Sequence, residues 1–206
     1  MLWIIASLFF CWLIYRELTS HMLVYKPYLS ILIILALLTA WPAYHRWRFE
    51  HLLNSIAQQL AENHPALVHC NTLWDTLFDE DLGVGGHADP RTGYIVIQYP
   101  RCDDLMNYIK HPAAASKEEL YSLNILTHES MHARGEYNEA KTECEAVQRN
   151  YHTAILLGVP DTIAKQNALA YYKNYYLKRT GTYFSKDCVP DGSLDEHLSD
   201  STWKDS

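Results

Sequence analysis

Basic charge is scarce in this 206-residue chain: 17 Lys and Arg stand against 24 Asp and Glu, a formal net charge of −7. Four of those cations (Arg16, Lys26, Arg46, Arg48) but two of the acids (Glu17, Glu50) fall within the first fifty residues, so the rest of the chain is more acidic still. Nucleic acid is excluded as a partner on that ground, because a phosphate backbone needs a basic surface. No internal repeat occurs, which excludes a solenoid. Disorder is excluded too, since 49% of the residues are hydrophobic and 20% charged. Charge of either sign is missing altogether from Leu2–Tyr15 and Pro27–Tyr44.

The second of these runs is close to the ~20 residues needed to cross ~30 Å of hydrocarbon, and Trp41, Tyr44 and Trp47 with Arg46 and Arg48 suit a membrane interface at its exit. The first run is shorter and fits a signal-peptide core as well as a span. It lacks the basic lead-in and the small-x-small cleavage site, so residues 1–44 are expected to form an uncleaved two-helix membrane hairpin in contact with lipid. Arg16 and Lys26 in the loop balance Arg46 and Arg48 at the exit, so the positive-inside rule leaves the orientation open.

No CxxC pair is present. Cys11 lies in the first apolar run, leaving Cys70, Cys102, Cys144 and Cys188, an even number that fits two disulfides or four thiols. The disulfide reading puts the soluble part in an oxidising, extracytoplasmic compartment.

A mostly helical α+β fold is expected beyond the membrane. Residues 45–65 read as a juxtamembrane stalk helix ending before Pro65, and Ala66–Phe78 as a short helix. Asp89–Gly93 is turn chemistry, and the β-branched, aromatic Tyr94–Tyr99 completes a hairpin. Ser116 and Glu119 form a capping box that opens a helix running to Gly135. A second helix runs from Asn138 to the Gly158-Val159-Pro160 stop, and a third, tyrosine-rich one from Asp161 toward Gly181. Tyr171, Tyr172, Tyr175 and Tyr176 read as packing residues. The stretch 189–206 is acidic and polar and is expected to be disordered.

The capped helix carries His128-Glu129-Ser130-Met131-His132, an HExxH pattern. Residues four apart lie one turn above each other, so both imidazoles can bind one Zn2+ at ~2.0 to 2.1 Å, while Glu129 reaches the site without ligating. A catalytic zinc needs a third protein ligand and an open position. If the chain reverses near Gly135, Glu139 mirrors His132 and Glu143 mirrors His128. Glu139 then completes the ligand set and Glu143 accepts the free N–H of His128, although the two could exchange roles. Tyr137, His152 and His87 are weaker candidates for polarising a substrate, and Cys144 points away from the ligands.

HExxH followed by a glutamate on the next helix resembles the gluzincin branch of the zinc metallopeptidases, over roughly residues 116–150. The gap from His132 to Glu139 is short for that group, and Asn138 stands where the metzincin pattern has its third histidine. The resemblance implies a minimal zincin-like metal-binding domain over residues 66–188 that hydrolyses peptide or protein substrates through a metal-activated water. Glu129 is the implied general base, and Tyr94–Tyr99 the implied edge strand that pairs with substrate. The alternative is a membrane-anchored zinc-binding module without turnover.

Overall fold

The computed structural model describes residues 2–20, 25–62, 64–79 and 83–203. The chain divides into two compact units, residues 1–51 and 52–206. The first holds α1 (Leu2–Thr19) and the opening of α2 (Lys26–Leu60). They carry the two uncharged runs, Leu2–Tyr15 and Pro27–Tyr44, neither of which contains glycine. Pro42 lies inside α2 without ending it, as is tolerated in membrane helices. The hydroxyl of Ser7 on α1 reaches the carbonyl of Ala36 on α2 at 3.4 Å. Among the described residues, α2 is the one helix long and apolar enough to cross a membrane, and 11% of its apolar window is buried. A soluble core helix would hide most of such a window. The expected pair of spans therefore reduces to one candidate, with residues 21–24 between α1 and α2 outside the described residues. The expected span and stalk are one continuous helix.

The second unit is a helical assembly around a three-stranded sheet, so the chain is mostly helical with a small β component. The strands β1 (Leu67–Cys70), β2 (Gly86–Asp89) and β3 (Tyr94–Ile97) lie in the order β1-β3-β2. The turn after β2 is fixed by Asp89, whose carbonyl accepts the Gly93 N–H at 2.8 Å and whose carboxylate accepts the Arg91 N–H at 3.0 Å. It brings β3 back antiparallel, with His87 opposite Val96.

Two expectations need correction here. Part of Ala66–Phe78 is not helical: Val68 and Cys70 face the core from a strand parallel to β3, and the helix that follows, α3 (Leu73–Leu77), spans five residues. The segment Tyr94–Tyr99 is not a sheet edge either. Its β3 portion is central, which is why Ile95, Val96 and Ile97 are all buried, and the edge beside the HExxH helix is β2.

Helix α4 (Arg101–Lys110) follows, tied to β1 by the Cys70–Cys102 disulfide. Helix α5 (Lys117–Arg134) is the spine of the unit. The capping box at its start is formed: Ser116 Oγ accepts from Glu119 N at 3.2 Å, and Ser116 N donates to the Glu119 carboxylate at 2.7 Å. Ser122 to Met131 are buried all round because α4, α6 (Glu139–Leu156), α7 (Asp161–Asn174) and the sheet surround them. Its buried hydroxyls bond back along the helix, as Ser130 does to Leu126 O at 2.7 Å, so they carry no unmet polarity into the core.

Residues 189–203, expected to be disordered, are packed instead, while 204–206 lie outside the described residues. Composition hid the anchors. Cys188 is disulfide-bonded to Cys144 on α6, Glu196 pairs with Arg149 and Arg134, and the Trp203 ring stands 5.2 Å from that of Tyr172. Thr202 is fully buried, its backbone N–H on Gln148 O at 2.8 Å and its hydroxyl on Val147 O at 2.6 Å.

Candidate metal centre

The chain reverses between α5 and α6 at Gly135, whose φ of 109° is a left-handed conformation that glycine adopts at little cost. Its N–H closes on His132 O at 2.9 Å. Glu136 then ties the turn, its carboxylate accepting the N–H groups of Tyr137 and Asn138 at 2.9 Å each and pairing with Lys141. Asn138 caps α6 through Lys141 N at 2.9 Å. This hairpin sets the first turn of α6 against the HExxH turn of α5.

Three donor atoms converge as a result. His128 Nε2 lies 3.1 Å from His132 Nε2 and 3.2 Å from Glu139 Oε2, and His132 Nε2 lies 3.4 Å from the same carboxylate oxygen. Bonds of ~2.0 to 2.1 Å in a tetrahedral zinc site place neighbouring ligand atoms ~3.3 to 3.4 Å apart, so the trio has the spacing of three tetrahedral corners. The tautomers agree with that reading. His132 Nδ1 donates to Glu136 O at 2.7 Å, and His128 Nδ1 faces Glu143 Oε2 at 2.9 Å, which turns both Nε2 lone pairs toward Glu139. Three acceptors so placed repel unless a cation sits among them. A proton serves in the metal-free protein: burial opposes charge on His128, yet Glu139 and Glu143 outweigh it and raise its pKa to about 10. His128 in turn holds the Glu139 carboxyl below its usual range.

Glu143 is almost wholly buried and its oxygens are occupied. Asn124 donates to both at 3.1 Å, the Tyr171 hydroxyl reaches Oε1 at 3.2 Å, and an Arg179 nitrogen stands at 3.4 Å. Glu139 is half exposed and open toward the histidines. Of the two glutamates, then, Glu139 stands with the histidine nitrogens and Glu143 behind the His128 ring.

Glu129 lies on the same helix, 6% exposed. Burial, with the negative charges of Glu139 and Glu143 outweighed in part by His128, raises its pKa to about 7. It faces a cleft of 780 Å³ that Tyr121, Ile125, His128 and Tyr183 also line. Strand β2 closes one side at Gly86, where an added Cβ would stand 2.8 Å from Val96 O and 3.3 Å from Glu129 Cγ. Only a glycine lets the sheet edge pass this near the carboxylate.

Asn124, Tyr171, Arg179 and Tyr183 were not legible as site residues in the sequence. Asn124 is one turn before His128 on the same face, a signal that could have found it; the other three approach from segments folded back over α5. Tyr171 packs in the core, as its spacing predicts, and also donates to Glu143. Of the weaker candidates, Tyr137 is exposed and His152 pairs with Asp200 at 2.6 Å, and neither lines the cleft. His87 lies in β2, opposite Val96. A second acidic group, Asp191, Asp195 and His197, is a folded loop in which Asp195 accepts the N–H groups of Asp191 and His197 at 2.9 Å each. No family model, curated protein or solved structure matches the chain.

Proposed function

We propose that this protein is a membrane-anchored zinc-dependent metallopeptidase of the gluzincin kind, in which His128, His132 and Glu139 hold the metal and Glu129 is the general base. The single observation that carries the reading is the 3.1, 3.2 and 3.4 Å spacing of the three donor atoms, with both imidazoles fixed from behind. A zinc ion held there would act as a Lewis acid toward a substrate carbonyl and make water a better nucleophile near neutral pH.

The remaining chemistry belongs to the chain. Glu129, with a pKa of about 7 in the metal-free protein, is suited to take the proton from attacking water and return it to the leaving amine. Glu143 holds the His128 ring in its ligating orientation, and Asn124, Tyr171 and Arg179 hold Glu143. Tyr183, whose ring centroid is 5.7 Å from that of His128, is the candidate hydroxyl donor to the charge that develops on the carbonyl oxygen. The β2 edge beside Glu129 is the surface on which an extended peptide would pair, in place of Tyr94–Tyr99.

Helix α2 is the candidate anchor, and the two disulfides are compatible with an extracytoplasmic second unit. The test is metal content and hydrolysis of a mixed peptide library by the full chain, purified in detergent without chelator. About one zinc per chain is expected, with hydrolysis lost on chelation and regained with zinc. Protein that stays metal-free in added zinc would overturn the site. A zinc-loaded protein inert toward every peptide would leave a binding module.

A further inference from the structure

The cleft in front of the candidate metal centre is lined, away from the metal donors and Glu129, by four cations, Arg101, Lys117, Lys178 and Arg179, against two acids, Glu118 and Glu143. That balance runs against the composition of a chain with net charge −7. Three of the cations lie over aromatic rings. The guanidinium carbons of Arg101 and Arg179 lie over the Tyr121 ring at 5.0 and 5.5 Å, and the Lys117 ammonium over Tyr175 at 5.7 Å. Arg101 is partly neutralised by Asp104 at 3.1 Å and Arg179 by Glu143 at 3.4 Å. Lys117 and Lys178 have no ion pair among the described residues.

We propose that this wall is a subsite for a substrate carboxylate, so that the enzyme selects peptides with an acidic group near the scissile bond. The inference rests on the peptidase reading for the position of that bond, but not for the binding of the anion. Arg179 bounds the distance. Its guanidinium carbon lies 5.9 Å from the Tyr183 ring, which is itself 5.7 Å from the His128 ring. An extended chain covers ~3.3 to 3.6 Å per residue, so the carboxylate sits within about three residues of the bond cut. Arginine and lysine held on aromatic faces keep their N–H groups available to a carboxylate, and partial enclosure in a cleft lessens screening by salt. The carboxylate can be an aspartate or glutamate side chain or a free C-terminus.

The test is peptide binding to the full-length zinc-loaded Glu129→Gln protein in non-ionic detergent. Fluorescent alanine-rich peptides carry one glutamate at successive positions, or glutamine in its place, each with a free or an amidated C-terminus. One charge-assisted contact should make the preferred acidic peptide bind at least about 10-fold tighter than its neutral match. Selectivity that follows the glutamate position identifies a side-chain subsite, and selectivity that follows the free terminus identifies a carboxyl-terminal one. In the variant Arg101→Gln, Lys117→Gln, Lys178→Gln the neutral peptide should bind as before and the preference should disappear. Equal affinity for acidic and neutral peptides would overturn the subsite, and so would a preference that survives the three substitutions, since Arg101, Lys117 and Lys178 would then not be the groups that bind the carboxylate. Acid-selective binding with no hydrolysis of any peptide by the wild type would keep the subsite and remove the peptidase.

Discussion

His128 Nδ1 and Glu143 Oε2 stand 2.9 Å apart, and this contact decides which side of the imidazole is left for a metal. The carboxylate is itself braced by Asn124 on α5, Tyr171 on α7 and Arg179 beyond α7, so residues far apart in the chain set the orientation of one candidate ligand. Among the described residues Glu139 has no such bracing, and it faces both histidines.

The two glutamates should therefore fail differently. Glu143→Gln leaves three donors in place and should weaken zinc by about 10 to 100-fold, the usual cost of losing a partner behind a ligand. Glu139→Ala removes a donor and should cost more. Competition with a chromophoric chelator measures both, and the opposite order would exchange their roles.

Zinc binding should strengthen as pH rises. In the metal-free protein the pKa of His128 is raised to about 10, so at neutral pH zinc must displace a proton that the two carboxylates help to hold. Affinity should climb by up to ~10-fold per pH unit between about 7 and 10 and then level off. Chelator competition across that range checks it; a flat profile would mean that His128 is not a ligand.

How far the sequence reached into this site follows from where its signals lie. His128, Glu129, His132, Gly135, Glu139 and Glu143 fall within one short stretch, so helix geometry and one left-handed glycine suffice to bring them face to face. The capping box at Ser116 and the turn at Asp89–Gly93 were legible for the same local reason. Strand β1 was not, because Leu67–Cys70 is extended only through its pairing with β3, a partner 27 residues away in register. Arg179 and Tyr183 approach the histidines from beyond α7, and no spacing rule connects them. The packing of residues 189–203 rests on Cys188, Glu196, Thr202 and Trp203, whose partners on α6 and α7 composition cannot reveal.

That packing has its own consequence. Trp203 is buried against Tyr172, so Trp203→Ala should destabilise the second unit by about 3 kcal/mol, as large-to-small core changes do. Thermal unfolding in mild detergent reads this. An unchanged midpoint would return the tail to disorder.

Cys70, Cys102, Cys144 and Cys188 should resist thiol labelling until reduced, as two disulfides closing loops of 32 and 44 residues require. Each closure is worth about 4 kcal/mol in chain entropy, so reduction should lower stability markedly. Free labelling of all four in protein from its natural host would move the domain to a reducing compartment.

The most direct measurement concerns Glu129. A carboxamide keeps its shape and most of its packing but cannot take a proton from water, so Glu129→Gln should retain zinc and fold. Peptide hydrolysis by the full chain should fall at least ~100-fold, the lower bound typical of general acid–base catalysis. Zinc content and turnover are read on the same samples of wild type and variant. Full zinc with hydrolysis lost is the expected result; equal hydrolysis by the two proteins would contradict Glu129 as the base and place the chemistry elsewhere.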